Sequence, residues 1–112
     1  MTDSSTSAKR ILVVDDTPDF LAIVAMLLEN QNYKAFLRSA GRNVVSVVKR
    51  QRPDLVILDL MLPDIDGLEV LARLKDDPET SKTPVIICSA DKQRIRTHKK
   101  ELNQQAVAVL EK

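Results

Sequence analysis

The stretch of sequence that decides the fold is Leu55-Val-Ile-Leu-Asp-Leu-Met-Leu-Pro-Asp-Ile-Asp-Gly67. It opens with four apolar residues in a row, a pattern typical of a strand buried on both faces of a parallel sheet. Asp59 follows at the carboxyl end of this strand, and Pro63 and Gly67 predict a turn after it. Leucines at helical spacing come next. A buried strand with an acidic end and a following helix indicates one βα unit of an α/β protein.

Similar units occupy the rest of the chain. Four further strands are predicted by apolar runs at residues 11–14, 35–37, 85–88 and 107–110. Helical spacing predicts helices between the strands, over residues 18–30, 42–50, 68–77 and 92–102. The first helix begins at Thr17-Pro18, where the hydroxyl can cap it and proline fits its first turn. The alternating order predicts an α/β fold, a doubly wound parallel sheet of five strands with helices on both faces.

The composition is that of one globular domain. The chain has 112 residues, of which 44% are hydrophobic and 29% charged. The 17 basic and 16 acidic residues offer no electrostatic reason to expect nucleic acid or a membrane as the main partner. The single cysteine, Cys88, cannot form an internal disulfide and favours a cytoplasmic location. We expect residues 1–8 to be a flexible leader and residues 9–112 to form the domain.

Polar residues stand at the predicted carboxyl ends of the strands, where open parallel sheets bind their ligands. They are Asp15 and Asp16 after the first strand, Asp59 after the third, Ser89 after the fourth and Lys112 after the fifth. Each residue alone could be a solvated side chain. Together they would bring three carboxylates, a hydroxyl and an ammonium into one crevice.

This combination of groups points to phosphoryl chemistry. Neighbouring carboxylates repel one another unless a cation neutralises them, and Mg²⁺ tolerates a site with few protein ligands (Mn²⁺ could substitute). A carboxylate can then attack a phosphodonor and form an aspartyl phosphate. Lys112 would supply a positive charge to one phosphoryl oxygen, and Ser89 a hydrogen bond to another.

Four segments resemble the receiver domains of response regulators, the CheY-like switches of two-component phosphorelay systems. The segments are Ile11–Pro18, Leu55–Gly67, Thr83–Ala90 and Ala106–Lys112. The resemblance implies a flavodoxin-like sheet in the strand order 2-1-3-4-5, with Asp59 as phosphoacceptor. It implies a sensor histidine kinase or a histidine phosphotransfer protein as the phosphodonor. It also implies a signalling domain that catalyses only its own phosphorylation and dephosphorylation, and not an enzyme in the usual sense.

The resemblance further implies a set of magnesium ligands. They are the side chains of Asp16 and Asp59, the side chain of Asp15 through a metal-bound water, and the backbone carbonyl of Met61. Asp64 and Asp66 lie nearby in the sequence. We interpret them as a loop residue and a helix-start residue, because acidic side chains are favoured near a helix N-terminus.

Other roles carry over to single positions. The resemblance makes Ser89 and Lys112 the residues that sense the phosphate, with Lys112 and Asp59 as the catalytic pair. Met61 and Asp91 lie two residues after the acceptor and two residues after the hydroxyl. In the family these two positions influence how long the phosphate survives.

The sequence departs from the family pattern in three places. Val109 stands where receivers often carry an aromatic residue in the fifth strand. The fourth predicted helix is strongly basic, which favours either an acidic partner or output domain, or simply a solvated surface. The usual fifth helix after the last strand is absent from this sequence. We therefore expect an exposed apolar surface that could support a dimer, and we expect the chain to be part of a longer one.

Two alternatives to an active receiver stay open. One is a receiver-like interaction module that never turns over phosphate. The other is a Mg²⁺-dependent phosphohydrolase that forms an aspartyl phosphate. Such enzymes usually carry the nucleophile at the end of the first strand and a second acid two residues later. Position 17 is threonine, so this pattern is not met.

Overall fold

The computed structural model describes residues 8–112, so the predicted leader lies outside the described residues except for Ala8. One five-stranded sheet has the order β2-β1-β3-β4-β5, and all neighbouring strands are parallel. The strands are β1 (Arg10–Val14), β2 (Lys34–Arg38), β3 (Leu55–Leu58), β4 (Val85–Ser89) and β5 (Ala108–Glu111). The predicted fold class and strand order are confirmed.

Within residues 8–112, five helices connect or flank these strands. They are α1 (Pro18–Asn30), α2 (Val44–Gln51), α3 (Gly67–Asp76), α4 (Lys92–Thr97) and α5 (Lys99–Gln105). The first three match the prediction apart from small shifts at their ends. The single helix predicted over residues 92–102 is wrong, because His98 leaves the helical conformation (φ −109°, ψ 23°) and divides it in two. Five helices are thus present within the described residues, and the fifth precedes β5.

The two faces of β1 explain its unbroken apolar sequence. Ile11 and Val13 pack with Leu21 of α1 on one face of the sheet. Leu12 and Val14 belong to the main core on the other face, which also includes buried residues of α2, α3 and α5. Successive side chains of a strand point to opposite faces, so a strand covered on both sides must be apolar throughout.

Part of the apolar surface on the sheet face that carries α1 is open to solvent. Ile23, Met26 and Leu27 of α1 and Leu110 of β5 are each more than half exposed. The expected apolar surface is therefore present, and association through it stays a prediction. None of the helices within residues 8–112 is long and apolar enough to span a bilayer.

Strand register aligns the ends that carry the polar residues. Val14 lies opposite Leu58, so the residues that follow, Asp15 and Asp59, leave the sheet side by side. Ser89 lies opposite Glu111, and the Lys112 N–H donates to the Ser89 carbonyl at 3.0 Å. The carboxyl edge of the sheet is therefore where the predicted site residues gather.

Candidate functional site

Three carboxylates form a cluster at this edge. Asp15, Asp16 and Asp59 each offer an oxygen, and these oxygens all lie within 4.8 Å of one another. Asp15 is 1% exposed and Asp59 is 4% exposed, whereas Asp16 is open to solvent. Burying two carboxylates costs free energy unless opposite charges or hydrogen bonds compensate them.

Lys112 provides the compensating charge. Its Nζ lies 2.5 Å from Asp15 Oδ2 and 3.0 Å from Asp59 Oδ2. Burial lowers the pKa of Lys112, but the hydrogen bonds to Asp15 and Asp59 and the charges of both carboxylates outweigh it, so this pKa lies above its ordinary value. The ammonium therefore stays charged at neutral pH and bridges the two buried acids.

Backbone N–H groups bind the remaining oxygens of the buried pair. The Met61 N–H donates to Asp59 Oδ1 at 3.1 Å, and the Thr17 N–H donates to Asp15 Oδ1 at 2.9 Å. Each buried carboxylate thus has one oxygen on Lys112 and the other on an amide two residues further along. The predicted cap by the Thr17 hydroxyl is wrong, because that side chain makes no cap hydrogen bond.

Gly67 packs against the main chain of Asp59 and Leu60, directly after β3. Its N–H donates to the Leu60 carbonyl at 3.0 Å. A Cβ at this position would lie 2.3 Å from the Asp59 carbonyl oxygen and 2.5 Å from the Leu60 Cα. Gly67 was predicted as a turn former. The structure adds that the first turn of α3 packs directly on the main chain that carries Asp59.

Ser89 and Asp91 lie beside the cluster at the end of β4. Ser89 is fully buried, and its Oγ accepts a hydrogen bond from the Asp91 N–H at 3.2 Å. The Asp91 carboxylate caps α4 by accepting from the Arg94 N–H at 3.1 Å. The predicted roles of Ser89 in phosphate sensing and of Asp91 in phosphate lifetime stay predictions.

Asp64 and Asp66 have the structural roles predicted for them. The two oxygens of Asp64 accept from the Gly41 N–H at 2.9 Å and the Arg42 N–H at 2.8 Å. The Gly41 hydrogen bond is the main reason that the pKa of Asp64 lies below its usual value. Asp66 caps α3 by accepting from the Leu68 N–H at 2.9 Å. Their carboxylates therefore hold the loops around the site.

One contact of the site has no counterpart in the sequence-based predictions. The ring of Phe20 in α1 lies below the Lys112 ammonium, with Nζ 4.2 Å from the ring centroid. Phe20 lies in the first turn of α1 and was not predicted to take part in the site. Residues 20 and 112 stand at opposite ends of the chain, so no local signal could have paired them.

The fold and the site together define a class of protein. It is an open parallel α/β domain with an acidic cluster, bridged by a lysine, at the carboxyl edge of its sheet. Within this class the chain belongs to the response regulator receiver domain family, which it matches over residues 11–112. The resemblance seen in the sequence is confirmed.

Individual relatives agree with this assignment. The chain is 39% identical over 80 residues to TcrX of Mycobacterium tuberculosis, a probable transcriptional regulatory protein. The matched region covers 71% of this chain and 33% of TcrX. It is 33% identical over 93 residues to the polar-differentiation response regulator DivK of Brucella anthropi. That matched region covers 79% of this chain and 76% of DivK. The chain thus spans only a third of TcrX but most of DivK.

A solved structure agrees as well. The phosphorylated cyanobacterial phytochrome response regulator RcpA superposes with a TM-score of 0.80 at 28% identity. The superposition covers 94% of this chain and 81% of that one.

Proposed function

We propose that this chain is a phosphoacceptor of a two-component system, which takes a phosphoryl group onto Asp59 in a Mg²⁺-dependent reaction. The observation that carries the proposal is the environment of Asp59. This carboxylate is buried in an acidic cluster, with one oxygen on Lys112 and the other on the Met61 N–H. The similarity to RcpA, which was crystallised in its phosphorylated form, supports it. The proposal includes a cytoplasmic histidine kinase or phosphotransfer protein as donor.

The donor set of the cluster fits Mg²⁺. Hard divalent ions take oxygen ligands, and opposite ligands of an octahedral Mg²⁺ are about 4.2 Å apart because each bond is about 2.1 Å. The three carboxylate oxygens lie within 4.8 Å of one another, so small side-chain rotations would suffice. Asp15, Asp16, Asp59 and the carbonyl of Met61 would hold the ion, with Asp16 at the exposed rim. When bound, Mg²⁺ neutralises the cluster and lowers its repulsion of an anionic donor.

The chain's own residues would carry the transfer as follows. A carboxylate oxygen of Asp59 forms a bond to phosphorus, while the bond between phosphorus and the donor atom breaks. The leaving group keeps the electron pair, on the histidine nitrogen of a protein donor or on the acetate oxygen of acetyl phosphate. Lys112 is already 3.0 Å from Asp59 Oδ2 and meets the charge on a phosphoryl oxygen. The Ser89 hydroxyl would donate to another.

The basic surface of α4 and α5 is the proposed contact for an acidic partner or output domain. Arg94 already forms an ion pair with Asp66, and Lys92 Nζ lies 3.9 Å from Glu111 Oε1. Arg96 and Lys99 are exposed beside these pairs and would be available to a partner's carboxylates.

Mass spectrometry of the intact protein tests the proposed function. The chain is incubated with Mg²⁺ and acetyl phosphate, and we expect a gain of one phosphoryl group. Asp59→Asn should gain none. Asp76→Asn is the matched control, because Asp76 is an exposed acid of α3 outside the cluster, and it should be modified like the wild type. A wild type that gains no phosphoryl group and does not bind beryllium fluoride would leave only the interaction-module alternative.

A further inference from the structure

Among the residues that the structure describes, the Lys112 ammonium has three partners, of which two are the buried carboxylates. The third is the face of Phe20, a half-buried residue in the first turn of α1. Nζ lies 4.2 Å from the ring centroid, well inside the limit of about 6 Å for a cation–π contact. Trp, Tyr and Phe rings attract a cation through the negative face of their π-system.

The three partners differ in what happens to them when Mg²⁺ binds. The carboxylates of Asp15 and Asp59, which hold the ammonium through their Oδ2 atoms, are two of the three that would hold the ion. A divalent cation therefore competes with Lys112 for the same negative charge. The ring of Phe20 takes no part in ligating a metal. It is the one of these three contacts that involves no proposed metal ligand.

Lysine needs such support because its side chain is long and flexible. The Lys112 main chain is held by the hydrogen bond from its N–H to Ser89, at the end of β5. Beyond that point the four-carbon stem can turn toward solvent unless the ammonium is attracted inward. We propose that Phe20 is a positioning residue, whose ring face keeps the Lys112 ammonium over Asp59 once Mg²⁺ has bound to the carboxylates.

The contact itself can be measured without any phosphodonor. Protons above an aromatic ring are shifted upfield, so the Lys112 ε-methylene resonance should lie upfield of the other lysines in the NMR spectrum. Phe20→Leu keeps the apolar volume but removes the ring, and the shift should disappear. Phe20→Tyr keeps the ring, and the shift should remain. If the Lys112 resonance is the same in the wild type and in Phe20→Leu, the inference is overturned.

The kinetic consequence rests on the proposed function. With acetyl phosphate and saturating Mg²⁺, Phe20→Leu should be phosphorylated about three- to thirtyfold more slowly, the range that cation–π energies imply. Phe20→Tyr should restore most of the rate. The Mg²⁺ affinity of Phe20→Leu should be unchanged or higher, because the carboxylates remain and their competitor is less firmly held. Lower Mg²⁺ affinity would mean a damaged site, and would contradict a positioning role.

Phe36 provides a matched control. It is a half-buried phenylalanine of β2 whose ring faces Arg10 at 5.2 Å and Lys34 at 5.7 Å, away from the acidic cluster. Phe36→Leu should leave both the Lys112 resonance and the phosphorylation rate unchanged. An equal loss of rate in Phe36→Leu would refute the specific role of Phe20. If the wild type takes no phosphoryl group, the proposed function fails, while the NMR series still decides the contact between Phe20 and Lys112.

Discussion

Gly67→Ala tests whether close packing or helix propensity dominates at the start of α3. Within a helix, alanine is normally favoured over glycine by about 0.5–1 kcal/mol. The structure predicts the opposite outcome here, since the added Cβ would lie 2.3 Å from the Asp59 carbonyl oxygen and 2.5 Å from the Leu60 Cα. Both atoms belong to the main chain, so no side-chain rotation can relieve the overlap.

The size of the effect follows from these two opposing contributions. Forcing extra atoms into a packed region typically costs about 1–3 kcal/mol. After subtracting the gain in propensity, we expect a net loss of about 0.5–2 kcal/mol in the free energy of unfolding. The melting temperature should fall by roughly 4 °C for each kcal/mol lost in a chain of this size. Relief of the overlap would also move the backbone that carries Asp59, so phosphorylation should slow.

Urea unfolding followed by circular dichroism measures the stability, and intact mass measures phosphorylation over time. Ser46→Ala is the control, since Ser46 is exposed in α2 and its replacement should change the stability by less than about 0.5 kcal/mol. A Gly67→Ala variant that is as stable as the wild type, and is phosphorylated at the same rate, would refute the argument from backbone contact.

Three further predictions follow from the site and its supporting loops. Lys112→Met should be phosphorylated about ten- to a hundredfold more slowly in an intact-mass time course, because one charge-assisted hydrogen bond of about 1.5–3 kcal/mol is lost; an unchanged rate would exclude Lys112 from the reaction. Asp16→Asn should weaken Mg²⁺ binding in calorimetry, and it should leave the melting temperature nearly unchanged because Asp16 is exposed. Chelating Mg²⁺ from the wild type should stop phosphorylation. Asp64 has a folded-state pKa below its ordinary value of 3.8, chiefly through the Gly41 hydrogen bond. The contribution of Asp64 to stability is therefore complete above pH 3.8 and is lost as the pH falls through its folded-state pKa. The urea midpoint of Asp64→Asn should thus change less with pH in the acid range than that of the wild type. Equal pH dependence of the two proteins would contradict this stabilising role of Asp64.

Two local predictions from the sequence were wrong, one at a helix break and one at a helix start. Helical spacing over residues 92–102 fitted one helix, because Ile95 and Leu102 are seven residues apart and would share a face. The structure breaks this helix at His98, and Leu102 beyond the break is fully buried in the main core. The spacing of two apolar residues does not reveal such a break. The predicted hydroxyl cap by Thr17 is also absent. The Asp15 carboxylate, held inward by Lys112, binds the Thr17 N–H, and Thr17 itself makes no cap bond.

The sequence by itself determined the sheet, its parallel order and the group of residues at its carboxyl edge. This was possible because hydrophobic periodicity is local, and because parallel strands all end at one edge. The strand order that brings Asp15, Asp59 and Lys112 together at that edge was implied by the resemblance to receiver domains. Only the tertiary structure decided how these groups contact one another. That Lys112 bridges the two acids over the ring of Phe20, and that Gly67 touches the Asp59 main chain, depends on atomic distances between residues far apart in the chain. Those distances follow from the packing of whole elements, which no short stretch of sequence encodes.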